Sequence, residues 1–219
     1  MDSCRFCTII NNSKLERPDG FPIYDTILHE TANFIVTPAL GSIVPGYIMI
    51  ISRHHICAMA FASQDAMDEL SELVIHFRSV ISKKFSAPTI VFEHGSAVGC
   101  FDKAANSVDH AHIHIAPVHI TEETQIVENA NASKIPNLHS IASFKGKPYF
   151  LYINENNHHF LSHETILPSQ YMRKWIAKET GHPLEWDWRQ FEFLDNINMT
   201  ITFLGDKYDP AENKLLHRA

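Results

Sequence analysis

Residues 108–117 read VDHAHIHIAP, which puts His110, His112 and His114 at alternate positions. Side chains alternate across a strand, so this spacing predicts three imidazoles on one face, about 7 Å from one to the next, with Ala111, Ile113 and Ile115 on the other. Three neighbouring rings, each able to be neutral or cationic near neutral pH, can supply a nucleophile, a proton donor and an anchor without a metal. The same spacing also suits three ligands of one metal, or the solvent face of an amphipathic strand. Histidine is not a favoured strand residue, however, and three in strict register read better as a functional face.

Working outward from this strand, Gly46–Ser52 (GYIMIIS) is a nearly continuous apolar run suited to a central strand, and Asn33–Thr37 and Thr89–Phe92 read as shorter ones. Between them Ser63 is a plausible N-cap for a helix over Asp65–Phe85. Its apolar positions Met67, Leu70, Leu73, Val74, Phe77, Val80 and Ile81 recur at three and four residues, with acids in the first turn and Lys83 and Lys84 in the last. The order strand, strand, helix, strand, strand does not alternate as βαβ units do, so the predicted class is α+β: an antiparallel sheet backed by that helix. Beyond residue 120, Thr121–Lys134 is polar and reads as a loop or a weak helix, and order resumes at Pro148–Ile153. Ser169 is expected to cap a helix through Lys178, ended by Gly181 and Pro183, and Asn198–Leu204 (NMTITFL) alternates like a strand. The chain divides on this reading into residues 1–118 and an extension, 119–219, packed on them.

Composition excludes several classes of function. With 45% apolar and 20% charged residues over 219 positions, long disorder and rod-like architectures are not expected. No apolar run approaches the roughly 18 residues a membrane span needs. Met1–Phe6 has neither a basic n-region nor an apolar h-region, so the expected location is cytoplasmic. The formal charge of −7 disfavours generic nucleic-acid binding but leaves a small phosphorylated ligand open. Four cysteines are too few for a disulfide framework. Cys4 and Cys7 have the spacing of a metal-binding or redox pair, whereas Cys57 and Cys100 read as packing residues. Fifteen histidines are about three times what average usage gives a chain of this length.

The motif His110-Ala-His112-Ile-His114-Ile-Ala116 resembles the His-φ-His-φ-His-φ-φ signature of the histidine triad (HIT) superfamily, with Asn106-Ser107-Val108 where that family carries Gln-Ser-Val. Cys4-Arg-Phe-Cys7 resembles its zinc-binding start, and Gly46–His55 its Gly-His-x-Leu-Val-Ile-Pro-Lys-x-His strand. Glu93-His94-Gly95 falls where Asn-x-Gly is usual. The resemblance covers about the first 118 residues.

That resemblance implies an intracellular hydrolase of nucleoside phosphoramidates, phosphoanhydrides or dinucleoside polyphosphates. His112 would be the nucleophile, forming a nucleotidyl-histidine that water hydrolyses, while His114 holds a phosphate oxygen and Ser107 donates to the phosphate or leaving group. His110 would orient the strand or join Cys4, Cys7 and His55 in a structural zinc set. Asn106, Glu93, His94 and Gly95 are the candidate substrate-binding residues, and a homodimer is the implied assembly. A nucleic-acid-end or cap-processing enzyme and a non-catalytic nucleotide-binding protein are the alternatives; the net charge weighs against the first and the intact triad against the second. One departure concerns the acid at a strand end that commonly binds ribose hydroxyls, because Val36–Leu40 offers no carboxylate. In the extension, Trp175, Trp186 and Trp188 read as packing anchors, with Gln170, Arg173 or Arg189 as alternatives for closing over the substrate.

Overall fold

The longest helix, α2 (Gln64–Phe85), begins where the Ser63 hydroxyl accepts a hydrogen bond from the Ala66 amide, and it buries Met67, Leu70, Leu73, Val74, Phe77 and Ile81 along one stripe. That stripe covers one face of a sheet. The computed structural model describes residues 4–12, 22–97, 110–163 and 167–205.

The sheet has eight strands: β1 (His29–Glu30), β2 (Phe34–Pro38), β3 (Ile48–Ser52), β4 (Thr89–Gly95), β5 (His112–Pro117), β6 (Ser133–Ile135), β7 (Tyr149–Ile153) and β8 (His159–Ser162). Their spatial order is β1-β2-β3-β5-β4-β7-β8-β6, and every pairing is antiparallel. The α+β class expected from element order is the observed one. β5 is central, with His112 opposite Ile51 of β3 and His114 between Met49 of β3 and Phe92 of β4. The sheet crosses residue 118 without a break, since β7 pairs with β4. β4 therefore presents no free edge to a second copy of the chain.

Both faces of the sheet are buried, which explains the near-continuous apolar runs in β2, β3 and β7. Val36, Ile50, Ile113, Ile115 and Leu151 face α2. Ile35, Met49, Ile51, Phe92 and Phe150 face the opposite layer. That layer contains α1 (Arg5–Asn12), α3 (Glu123–Asn129) and α4 (Tyr171–Glu179), which contribute Phe6, Ile9, Ile126, Met172, Trp175 and Ile176. The helix of the extension thus lies over the face that carries the histidines.

Three local expectations are corrected. Residues 198–204 form part of a helix, α5 (Leu194–Leu204), not a strand. Ile197, Met199, Ile201 and Phe203 do alternate, but the structure uses the helical spacing: Ile197 and Thr200 are buried, whereas Met199 and Phe203 are exposed. Polar docking fixes that choice, because Asn196 Nδ2 donates to the carbonyls of Ser42 and Ile43 at 2.9 Å and Thr200 Oγ1 accepts from the Gly46 amide at 2.8 Å. Secondly, Gln170 rather than Ser169 occupies the N-cap position of α4, with φ +60° and no side-chain cap. Its side chain instead binds Asp187 and the Trp188 amide. Thirdly, Cys57 is disulfide-bonded and not a mere packing residue.

Candidate active site

The alternation of β5 delivers two of the three histidines to one half-buried surface. His112 and His114 project from the face opposite α2, their ring centroids 4.9 Å apart. His112 Nδ1 donates to the carbonyl oxygen of His110 at 2.7 Å. This fixes the tautomer and leaves Nε2 with its lone pair. Burial lowers the His112 pKa, while the bond to the His110 carbonyl acts in the opposite sense. Phe6 of α1 meets the ring edge-on at 5.3 Å.

His114 stacks on Phe92 at 4.6 Å, with 12° between the planes, and its Nδ1 lies 3.2 Å from the Tyr47 hydroxyl. Burial holds the His114 pKa well below its usual value, helped by His112 and Arg173. Burial also pushes the Tyr47 phenol up to about 12, so it stays protonated and can donate to Nδ1. His114 then carries its own proton on Nε2.

A cavity opens over these rings. Its lining includes His94, His112, His114 and Thr37 from the sheet, Arg5 and Phe6 from α1, and Gln170, Arg173 and Trp188 from the extension. Arg5 is paired with Asp25. Arg173 is 5% exposed; its Nε donates to the Trp186 carbonyl at 2.8 Å and its Nη1 lies 3.4 Å from the Leu40 carbonyl. Gly41, at φ +66°, makes room for this approach: a Cβ there would stand 2.7 Å from Trp188 Cβ and 2.8 Å from Arg173 Nη2. Only a residue without a side chain fits.

His110 precedes β5 and is drawn away from the cavity. Its Nε2 donates to the Ser52 carbonyl at 2.6 Å, leaving Nδ1 facing Cys4 Sγ at 3.4 Å and Cys7 Sγ at 3.7 Å. Cys7 Sγ is also 3.2 Å from His55 Nδ1. The donor atoms of Cys4, Cys7, His55 and His110 all lie within 4.8 Å of one another, a group that could hold a metal ion. A tetrahedral ion with ordinary Zn–S and Zn–N bonds needs neighbouring donors about 3.3–3.8 Å apart; the Cys4–His110, Cys7–His110 and Cys7–His55 pairs already stand near that spacing, and the other pairs are within 4.8 Å. Orientation of His110 by a main-chain carbonyl is the usual outer-sphere arrangement for a histidine ligand. Burial and the neighbouring Cys4 push the Cys7 thiol up to about 11, so a bound cation would be needed to hold it as thiolate.

The other candidate residues divide between the two faces. His94 lines the cavity, but Glu93, one residue earlier on β4, points to the α2 side. There its carboxylate accepts from the Tyr149 hydroxyl at 2.5 Å and the Met59 amide at 2.8 Å, and burial raises its pKa to about 7. Gly95 packs against the Tyr149 ring, where a Cβ would lie 2.2 Å from the nearest ring carbon. Asn106, Ser107 and Cys100 lie outside the described residues. Sequence reasoning missed Tyr47, although Gly46-Tyr47 standing where the resemblance has Gly-His marks it as a substitution facing the triad.

Residues 21–120 match the family model of the HIT domain. The chain therefore carries a HIT domain, spanning β1 to β5 and including α2, with α1 before it and α3, β6, β7, β8, α4 and α5 after it. Solved structures similar to this chain include a member of the HIT family from Bacillus subtilis, 21% identical over 53% of this chain and 73% of that one, with a TM-score of 0.41. A hypothetical histidine triad nucleotide-binding protein from Sulfolobus tokodaii is 24% identical over 52% and 68%, with a TM-score of 0.40. A HIT family hydrolase from Clostridium thermocellum is 19% identical over 55% and 95%, with a TM-score of 0.39. No curated protein matches the chain. None of the helices described is long and apolar enough to cross a membrane.

Proposed function

We propose that the protein is a nucleotide hydrolase that cleaves at the α-phosphorus of a nucleoside phosphoramidate, phosphoanhydride or dinucleoside polyphosphate. The observation that carries this reading is the pinned tautomer of His112, whose Nε2 faces the cavity as a lone pair while Nδ1–H is held by the His110 carbonyl. His112 Nε2 attacks phosphorus; the P–N bond forms as the bond to the leaving group breaks, and the leaving group departs with that electron pair and takes a proton from solvent. The ring becomes cationic at this stage, and the carbonyl at Nδ1–H favours the cation. Water then attacks phosphorus and gives up a proton to solvent, the P–N bond breaks with its electron pair returning to Nε2, and neutral His112 and a nucleoside monophosphate are released. His114, with its proton on Nε2, donates to a phosphate oxygen as charge develops there. Ser107 keeps the role that the resemblance gives it, as a donor to the phosphate or leaving group.

Cys4, Cys7, His55 and His110 would hold zinc, which would supply a structural cross-link between α1 and the segment that feeds β5. A homodimer, the assembly that the resemblance implies, would need a surface other than the β4 edge. The testing experiment is turnover of a panel of adenosine and guanosine 5′-phosphoramidates and dinucleoside polyphosphates. The wild-type protein is expected to release nucleoside monophosphate from at least one of them, and His112→Asn to lose several orders of magnitude in kcat. Substantial turnover by His112→Asn, or none by the wild type on any substrate of the panel, contradicts the reading.

A further inference from the structure

Five buried side-chain polar atoms among the described residues have no hydrogen-bond partner: Thr37 Oγ1, His94 Nε2, Tyr152 Oη, Ser162 Oγ and Arg173 Nη2. Three of them belong to residues lining the cavity over His112 and His114, namely Thr37 of β2, His94 of β4 and Arg173 of α4. Buried polar groups are nearly always satisfied, so orphans on the wall of one space point to a ligand there; Thr37 and His94 stand apart on that wall, with Met49 of β3 and His114 of β5 between them on the same face.

The chemistry of Arg173 and Thr37 defines that ligand. Arg173 is a donor only, and no carboxylate among the described residues is paired with it. Asp187, whose field it feels, accepts instead from Gln170 Nε2 at 2.9 Å and the Arg189 amide at 3.1 Å. Arg5, the other arginine of the lining, is neutralised by Asp25. Burial keeps His94, with a pKa lowered to about 4, and His114 uncharged at neutral pH. Arg173 therefore meets the neutral phenol of Tyr47 but no carboxylate, which leaves it the cation of the described lining without a counter-ion; it is 5% exposed, and Thr37 is 1% exposed. At the Thr37 end of the cavity, where Arg173 packs against Leu40 and Gly41, a hydroxyl and a guanidinium nitrogen suit an acceptor-rich, anionic group.

We propose that Arg173 Nη2 and Thr37 Oγ1 form a phosphate-binding subsite, so that the C-terminal segment supplies a substrate-binding residue of the active site. The inference rests on the cavity being the nucleotide pocket, as proposed above, but not on covalent chemistry at His112. Phosphate, not nucleoside, then dominates affinity.

Calorimetric titration without phosphate in the buffer tests this with the four common nucleoside 5′-monophosphates and their nucleosides. The wild type should bind at least one monophosphate about 100-fold more tightly than its nucleoside. Arg173→Gln should cut that ratio by about 10- to 100-fold, the scale of a charge-assisted hydrogen bond, and leave nucleoside binding within about threefold. Thr37→Val removes a hydroxyl that makes no hydrogen bond in the free protein, so it should weaken the monophosphate by about three- to tenfold without lowering the ligand-free Tm. If Arg173→Gln does not fold, Arg173→Lys and Thr37→Val decide; the lysine, keeping charge but not the fork, should retain part of the ratio. An unchanged monophosphate-to-nucleoside ratio in the folded variants overturns this subsite alone. Failure of the wild type to bind any of the eight probes overturns it together with the nucleotide-pocket reading.

Discussion

The Tyr47 hydroxyl lies 3.2 Å from Nδ1 of His114, and that contact determines which nitrogen of His114 can face a substrate. A protonated phenol donates to Nδ1, so the ring proton sits on Nε2, on the cavity side. The residue that leads into β3 thereby sets the tautomer of the triad's last histidine.

Tyr47→Phe removes that donor while keeping the ring that packs beside Phe92. Stability should fall by about 1 kcal/mol, the worth of one hydrogen bond. kcat should fall by about three- to tenfold, the cost of a wrongly populated tautomer, with little change in KM. Steady-state kinetics together with thermal melts of the two proteins check this.

Gly41→Ala tests the fit between the β2–β3 connection and the extension. A positive φ and a Cβ less than 3.0 Å from both Trp188 and Arg173 make the substitution costly. The expected loss is about 1–3 kcal/mol in chemical denaturation, with weakened monophosphate binding in the protein that remains folded. Unaltered stability would show that the extension does not pack on this turn.

Much of this was legible in the sequence, and the reasons differ by element. α2 was readable because a Ser cap, acidic first turn and apolar stripe all agree. His112 and His114 were readable as one face because period-two alternation holds within β5, whereas His110 precedes the strand and turns to the Ser52 carbonyl and the cysteines. α5 was not, since its apolar residues satisfy both periods and Asn196 and Thr200 decide between them only through contacts more than 150 positions away in the chain. The same limit applies to Arg173: nothing local distinguishes a packing arginine from one that α4 carries onto the triad face. Glu93 and His94 stood together in one motif, yet strand alternation sends them to opposite sides of the sheet.

Glu93 supplies a pH dependence. Burial raises its folded-state pKa to about 7 from the ordinary 4.5. The unfolded chain therefore releases this proton first, and the contribution to stability is lost as pH rises from about 4.5 through 7. Melts of wild type and Glu93→Gln between pH 5 and pH 8.5 should show the variant gaining relative to wild type as pH rises. A difference that does not vary with pH would contradict a carboxyl protonated in the fold.

Removing the metal should act on the fold before it acts on chemistry. The Cys4, Cys7, His55 and His110 set joins α1 to the segment before β5. A protein purified without chelators should contain about one zinc per chain, and stripping it should lower Tm and expose both cysteines to alkylation. Purified protein with no zinc and freely alkylated Cys4 and Cys7 would contradict the assignment.

The most direct measurement is the intact mass of the protein quenched within milliseconds of mixing with a substrate that it turns over. The account predicts a species heavier by one nucleotidyl group, located on His112 by peptide mapping, labile in acid and absent from His112→Asn. No adduct at any quench time, with His112→Asn retaining activity within about tenfold of wild type, would contradict covalent catalysis at this residue.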